Sequence, residues 1–135
     1  MTHTIYVLAA DPLERQWIER SLAASDRALV FIDDGGALFD RMPAAAGDCL
    51  ICDAEPDAAA ALALVRHLRQ RGDRLPVVVM GPHSAFRIAV DVARLEATDF
   101  IERPCSAQRL RAALRTVQAG RLADIGSALI EEKKA

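Results

Sequence analysis

The chain has 135 residues, a length typical of one domain, and 52 % of them are apolar, enough for a single buried core. Its formal net charge is −2 and its Lys and Arg residues are scattered, which argues against direct binding to a nucleic acid backbone and favours a protein partner. Because the sequence has neither a leader peptide pattern nor an apolar run of about 20 residues, it predicts a cytoplasmic protein without a membrane span.

Short apolar runs alternate along the chain with longer amphipathic stretches. The runs predict five strands, at 4–9, 28–33, 48–53, 76–81 and 98–103. The amphipathic stretches predict helices at 12–24, 35–42, 57–71, 84–96 and 106–119. Five successive strand and helix units indicate an α/β fold in which helices cover both faces of a parallel sheet.

Several of these boundaries carry chemical signals. Asp11 is a predicted N-cap because Pro12 follows it at the first helical position, and Ser106 is a second predicted N-cap. Gly72 and Gly120 follow polar helix ends and suit the left-handed position just beyond a helix.

The carboxyl ends of the strands form the edge at which ligands bind in open parallel sheets. The residues predicted there are Ala9, Ala10, Asp11, Asp53, Gly81 and Arg103. The loop after the first strand contains no glycine, so it excludes a dinucleotide fingerprint and a P-loop. The three histidines match no catalytic triad or metal spacing and are predicted to lie at the surface or in turns.

Cys49 and Cys52 have the spacing of a redox or zinc motif. On a strand, however, residues three apart face opposite sides, whereas a redox pair requires a helix N-terminus. We therefore predict two independent, reduced core thiols.

The stretches 7–13, 49–53, 75–83 and 98–104 together resemble the response-regulator receiver domain of two-component signalling, most closely the LuxR-type receivers. The resemblance covers about residues 4–119. It implies a flavodoxin-like doubly wound (βα)5 fold with strand order 2-1-3-4-5. We expect the receiver domain to occupy residues 1–120 and a separate C-terminal tail to follow at 121–135.

Receivers of this family hold Mg²⁺ with an acidic pair after the first strand and accept a phosphoryl group on an aspartate after the third. A Thr or Ser ends their fourth strand, and a Lys precedes a proline after the fifth. By position these residues correspond here to Ala9, Ala10, Asp53, Gly81 and Arg103. The resemblance also assigns Phe100 as the aromatic that reports phosphorylation, and implies a cis bond before Pro104.

These departures predict a degenerate pocket. Without the carboxylates of Ala9 and Ala10, Mg²⁺ binding should be weak or lost, and Asp11 cannot take the place of either acid because it lies further along the chain. Gly81 lacks the hydroxyl that would hold a phosphoryl oxygen. Arg103 is expected to interact directly with Asp53, because a guanidinium can hold a carboxylate with two parallel hydrogen bonds, and no neighbouring carboxylate is expected to repel Asp53.

The fourth helix is predicted to carry two apolar stripes. A core stripe consists of Ile88, Val92 and Leu95, and an adjoining flank consists of Phe86, Ala89, Val90 and Ala93. With the fifth strand and fifth helix, this flank is the predicted surface for a homodimer or a protein partner.

The tail places Leu122, Ile125 and Leu129 at helical spacing, which suits self-association, a linker stub or a frayed end.

We therefore predict a pseudo-receiver that acts as a signalling interaction module, is not an enzyme and needs no cofactor. The first alternative is a genuine receiver that a histidine kinase phosphorylates on Asp53. The second is a flavodoxin-like protein whose small ligand fills the space left by Ala9, Ala10 and Gly81.

Overall fold

The computed structural model of this protein describes residues 3–23, 27–55, 57–96 and 98–118, except for the side chain of Phe86. The strands are β1 (Thr4–Leu8), β2 (Ala28–Ile32), β3 (Cys49–Asp53), β4 (Val77–Gly81) and β5 (Thr98–Glu102). The helices are α1 (Pro12–Ser21), α2 (Gly35–Phe39), α3 (Ala58–Gln70), α4 (Phe86–Ala93) and α5, which is helical over 107–118. Each strand and helix predicted from the sequence is present.

The five strands form one parallel sheet in the order β2-β1-β3-β4-β5, as the resemblance implied. In its register Asp53 lies opposite Met80, and Gly81 lies opposite Glu102. Because all strands run in the same direction, the loops that follow them meet at one edge of the sheet. This edge brings the predicted site residues together.

The sheet separates two apolar cores, and β3 contributes to both. Cys49 and Ile51 pack with residues of α1 and α5, whereas Leu50 and Cys52 pack with residues of α2, α3 and α4. All four side chains are buried. A nearly continuous apolar run of this kind is typical of a central parallel strand that has helices on both faces.

The predicted helix boundaries are confirmed at three positions. The carboxylate of Asp11 accepts a hydrogen bond of 2.9 Å from the amide two residues further on, and the hydroxyl of Ser106 accepts one of 3.0 Å from the amide three residues further on. Gly72 follows α3 with a φ of +78°, the left-handed conformation that glycine adopts at low cost. Gly120 lies outside the described residues, as does the tail 121–135 with Leu122, Ile125 and Leu129.

Over the described residues every helix is shorter than predicted, and α1, α2 and α4 differ most from the prediction. The helix α2 ends at Phe39, close to Pro43, and a proline disfavours helical conformation in the residue before it. A 3-10 turn at His83–Ala85 precedes α4, because Ala85 has no side chain that could cap an α-helix there. Among the described residues, no helix is both long and apolar enough to cross a bilayer.

Candidate functional site

Asp53 ends β3, and its carboxylate borders an open cavity at the carboxyl edge of the sheet. The side chain is only 5 % exposed, and Oδ1 accepts a hydrogen bond of 2.8 Å from the amide of Glu55. The cavity has a volume of about 620 Å³. Its lining consists of Ala10, Asp11, Asp53, Ala54, Glu55, Ala58, Pro82, Ser84, Ala85 and Arg103.

Arg103 lies directly after β5 and contacts three carboxylates. Its amide donates a hydrogen bond of 2.8 Å to the carbonyl of Gly81, which anchors the backbone beside β4, and its bond to Pro104 is cis. Its guanidinium lies 2.5 Å from Asp53 (Nη2 to Oδ1), 3.1 Å from Glu14 (Nε to Oε1) and 3.9 Å from Glu55 (Nη1 to Oε2). Nε and Nη2 are buried, and their contacts are ion pairs without the alignment of hydrogen bonds.

The predicted direct contact between Arg103 and Asp53 is present, but its details differ from the prediction in two respects. Arg103 does not grip Asp53 with two parallel hydrogen bonds, because the guanidinium is divided between Asp53, Glu14 and Glu55. Asp53 also has acidic neighbours, although the sequence led us to expect none. The errors have two causes. The first turn of α1 starts at the same edge of the sheet and brings Glu14 to Arg103, which residue spacing alone does not reveal. Glu55, only two positions after Asp53, contacts the same guanidinium and was overlooked.

Glu14 is the main site residue that sequence reasoning missed. Its side chain is 18 % exposed although it carries a carboxylate. Burial raises the pKa of Glu14, the guanidinium of Arg103 opposes the rise, and neighbouring carboxylates, chiefly Asp53, add to it. The available signal was an acid in the first turn of a helix that begins at the ligand-binding edge of the sheet. Ser84, which brings a hydroxyl to the cavity, was missed in the same way.

The end of β1 provides no carboxylate from Ala9 or Ala10. Ala9 is buried, and its carbonyl accepts a hydrogen bond of 2.5 Å from Nε of Arg15. Asp11 lines the cavity, but one of its carboxylate oxygens caps α1 as predicted. A cationic guanidinium therefore binds the strand end at which the family's metal acids would stand.

Mg²⁺ prefers oxygen ligands in octahedral geometry, usually one or two carboxylates together with phosphate and water. Around Asp53 the nearest charged group is the guanidinium of Arg103, at 2.5 Å. Among the described residues, no three Asp, Glu, His or Cys side chains are arranged so that they could hold a metal ion. The residues present therefore do not fit an Mg²⁺ site of the family's kind.

The space beside Gly81 is filled by other side chains. A Cβ built on Gly81 would lie 3.1 Å from Cβ of Ala54 and 3.2 Å from Cζ of Phe100. Gly81 is buried and does not line the 620 Å³ cavity. Of the three positions at which a ligand was expected to find room, only Ala10 borders this cavity.

The two cysteines of β3 behave as predicted. Cys49 and Cys52 are free thiols in different cores, each fully buried. Burial raises the pKa of Cys49 to about 11 and that of Cys52 to about 12, so both thiols are protonated at neutral pH.

The predicted flank of α4 is exposed at Val90, whose exposed fraction is 39 %, whereas Val92 of the core stripe is fully buried. Ile88 and Leu95 pack against the same core as Val92. The side chain of Phe86 lies outside the described residues. The flank therefore remains a candidate interface on the evidence of Val90 and the exposed Ala93.

Comparison with known proteins identifies the family. Residues 5–115 match the response regulator receiver domain family. The chain belongs to this family. Its receiver domain is 25 % identical over 112 residues to the transcriptional regulatory protein FixJ of Bradyrhizobium diazoefficiens, which covers 83 % of this chain and 55 % of FixJ. It is 27 % identical over 100 residues to the DNA-binding transcriptional regulator NtrC of Escherichia coli, covering 74 % of this chain and 21 % of NtrC.

Solved structures show the same receiver fold. Full-length FixJ from B. japonicum superposes with a TM-score of 0.79 at 23 % identity, covering 98 % of this chain and 66 % of that one. The isolated FixJ-N structure gives a TM-score of 0.76 at 19 % identity, covering 88 % of this chain and 95 % of that one. Ala9, Ala10, Gly81 and Arg103 therefore lie on a receiver fold of the same architecture as these structures.

Proposed function

We propose that this receiver domain is an atypical one, which transmits a signal through protein contacts and does not depend on Mg²⁺-assisted phosphorylation of Asp53. The proposal rests on one observation: the guanidinium of Arg103 lies 2.5 Å from Asp53, where no carboxylate of residue 9 or 10 is available to hold a metal. A fixed cation beside the acceptor repels a divalent cation and so disfavours its binding there. The domain is then a binding module without catalytic activity of its own.

We propose that the exposed flank of α4, together with β5 and α5, is the surface that binds another protein and so transmits the signal. The ring of Phe100 lies in the space beside Gly81, and we propose that it keeps this position without a phosphoryl group. A surface that adjoins this ring is then presented constitutively. We propose a homodimer or a protein partner as its occupant, in a two-component signalling context and in the cytoplasm.

The test is a titration of the isotope-labelled protein with Mg²⁺ and with beryllofluoride, a mimic of the phosphoryl group, followed by NMR. We expect no saturable shift at Asp53 or Phe100 at Mg²⁺ concentrations below roughly 1 mM, because a single carboxylate without a second acid is a weak ligand for Mg²⁺. Restoring the acids with Ala9→Asp and Ala10→Asp should produce metal-dependent shifts. Saturable shifts in the wild-type protein would overturn the proposal.

A second candidate is a phosphoacceptor receiver, and the cavity of about 620 Å³ beside Asp53 favours it, since a phosphodonor could reach the carboxylate there. Incubation with acetyl phosphate, followed by mass spectrometry of the intact protein, distinguishes the two. A phosphoryl adduct that disappears in Asp53→Asn supports the second candidate. An unmodified protein supports the first.

The third candidate is a small ligand in the same cavity, bordered by Ala10 and Ser84. Phe100 and Ala54 fill the space beside Gly81, so such a ligand would have less room than the sequence suggested. Native mass spectrometry of the purified protein would detect a ligand that is retained through purification.

A further inference from the structure

A second cavity, of about 400 Å³, lies between α1 and the loop that joins β5 to α5. Its lining consists of Glu14, Trp17, Met80, Arg103, Pro104 and Cys105. It shares only Arg103 with the lining of the cavity at Asp53. Its volume falls at the smaller end of the range of roughly 300–1,000 Å³ found for small-molecule pockets.

The walls of this second cavity are mostly apolar. The half-buried indole of Trp17 faces the same space as the buried thioether of Met80, and both groups make favourable contacts with aromatic rings. Burial raises the pKa of the Cys105 thiol, so this group is neutral at pH 7 and adds to the apolar lining. A flat aromatic group therefore suits the walls.

The charged end of the cavity carries an excess of negative charge. Arg103 is the only cation in its lining, and it contacts the carboxylates of Glu14, Asp53 and Glu55. Three negative charges share one positive charge. Glu14 is largely buried, and Nε of this guanidinium lies 3.1 Å from its carboxylate in a contact that lacks hydrogen-bond alignment. A buried carboxylate that is incompletely paired favours a second cation.

The basic side chains around this cavity are engaged by other groups. Arg15 donates to the carbonyl of Ala9 and lies 3.5 Å from Asp33. Arg109, one turn into α5, lies 3.7 Å from Asp99. Neither contact brings a guanidinium to Glu14.

From this geometry we propose that the second cavity binds a small aromatic amine, with the ring between Trp17 and Met80 and the ammonium group at Glu14. The apolar walls select the ring. The carboxylate of Glu14, which shares the guanidinium of Arg103 with two other carboxylates, selects a positive charge over a neutral or negative group. This inference is independent of the function proposed above, because it involves neither phosphorylation nor the surface of α4.

Trp17 is the only tryptophan of the chain, so its fluorescence reports directly on the cavity. The intact protein is titrated with 2-phenylethylamine, whose ring does not absorb where indole is excited, and in parallel with 2-phenylethanol and phenylacetate. We expect a saturable change with the amine at a dissociation constant of roughly 1 mM or tighter. The alcohol should bind at least about tenfold more weakly, and phenylacetate should not bind.

Two variants test whether Glu14 binds the ammonium group and whether the ring lies in the second cavity. Glu14→Gln should weaken binding of the amine at least about tenfold and leave binding of the alcohol unchanged, whereas Glu19→Gln, on the exposed side of the same helix, should change neither. Cys105→Leu fills the cavity without touching the ion pairs and should abolish binding even if Glu14→Gln fails to fold. Circular dichroism checks that each variant is folded.

Three results would overturn the proposal. The first is the absence of a saturable change with the wild-type protein, and the second is equal affinity for the amine and the alcohol. The third is binding of a lysine-containing peptide without binding of 2-phenylethylamine. This result would show that the cavity accepts a protein segment and not a small molecule.

Discussion

The ring of Phe100 packs against Gly81, so closely that a Cβ at position 81 would lie 3.2 Å from its Cζ atom and 3.3 Å from its Cε2 atom. These distances are shorter than ordinary carbon–carbon contacts, so the ring occupies the space that a side chain on residue 81 would need. Receivers of this family carry a Thr or Ser there. The glycine and the position of the aromatic ring therefore depend on each other in this chain.

We predict that Gly81→Thr destabilises the protein by about 1–3 kcal/mol, because the added atoms overpack the space beside Phe100. Urea melts followed by circular dichroism measure the loss. The double change Gly81→Thr with Phe100→Leu should recover part of it, since the smaller side chain leaves room for the threonine. A loss in the double variant equal to the sum of the losses in Gly81→Thr and Phe100→Leu alone would show that the two residues do not compete for this space.

The second prediction concerns the charges around Arg103. Arg103→Met keeps much of the aliphatic stem but leaves the largely buried carboxylates of Asp53 and Glu14 without a cation. We expect a loss of about 3 kcal/mol, within the range found when one partner of a buried ion pair is removed. Asp53→Asn should cost less, roughly 1 kcal/mol, because Arg103 keeps Glu14 and the amide oxygen can still accept from the amide of Glu55.

Urea melts of both variants provide the comparison, and Arg103→Lys is the matched control because it restores the charge without the planar guanidinium. It should lie between Arg103→Met and wild type. The prediction would be contradicted if Arg103→Met lowered the free energy of unfolding no more than the same substitution of an exposed arginine.

The third prediction is a dependence of stability on pH that originates at Glu14. Burial raises the pKa of this carboxyl above its ordinary value of 4.5, against the opposing charge of Arg103. The protonated carboxyl of Glu14 therefore contributes to the free energy of unfolding. This stabilisation is fully present below pH 4.5 and is lost as the pH rises through the raised pKa. Glu14→Gln is neutral throughout, so its stability relative to wild type should be greater at pH 7 than at pH 4.

Urea melts at several pH values test this dependence, with Glu19→Gln as the control for removal of a charge from the exposed side of α1. A stability difference between Glu14→Gln and wild type that does not change with pH would show that Glu14 has the same proton affinity in the folded and unfolded states.

The fourth prediction tests the proposed interface on α4. Val90 is 39 % exposed and Val92 is fully buried, so the two valines on one helix form a matched pair. Val90→Gln should change the stability by less than about 0.5 kcal/mol and should dissociate a dimer or partner complex. Val92→Gln should cost several times more, because it buries an amide in the core.

Sedimentation at several protein concentrations measures the assembly, and a specific interface would have to bury at least about 1,000 Å². A wild-type protein that stays monomeric at high concentration would argue against self-association. A Val90→Gln variant that associates as well as wild type would place the interface elsewhere.

The sequence alone determined the fold class and the positions of most helices and strands, whereas the strand order followed from the resemblance to receiver domains. Apolar runs of five or six residues, Pro12 after Asp11 and Gly72 after a helix are local signals, and local backbone preferences follow them directly. The pattern Cys49 to Asp53 was sufficient to predict two separated thiols, because side chains on a strand alternate between its faces.

Only the tertiary structure decided which carboxylates meet Arg103 and what fills the space at Gly81. Glu14 is 89 positions from Arg103 and Phe100 is 19 positions from Gly81, and no periodic pattern relates such pairs. Their contacts arise because the parallel strands end at one edge, where α1 begins beside the loop after β5. The register of the sheet and the packing of helices over it set these distances, and residue spacing does not encode them.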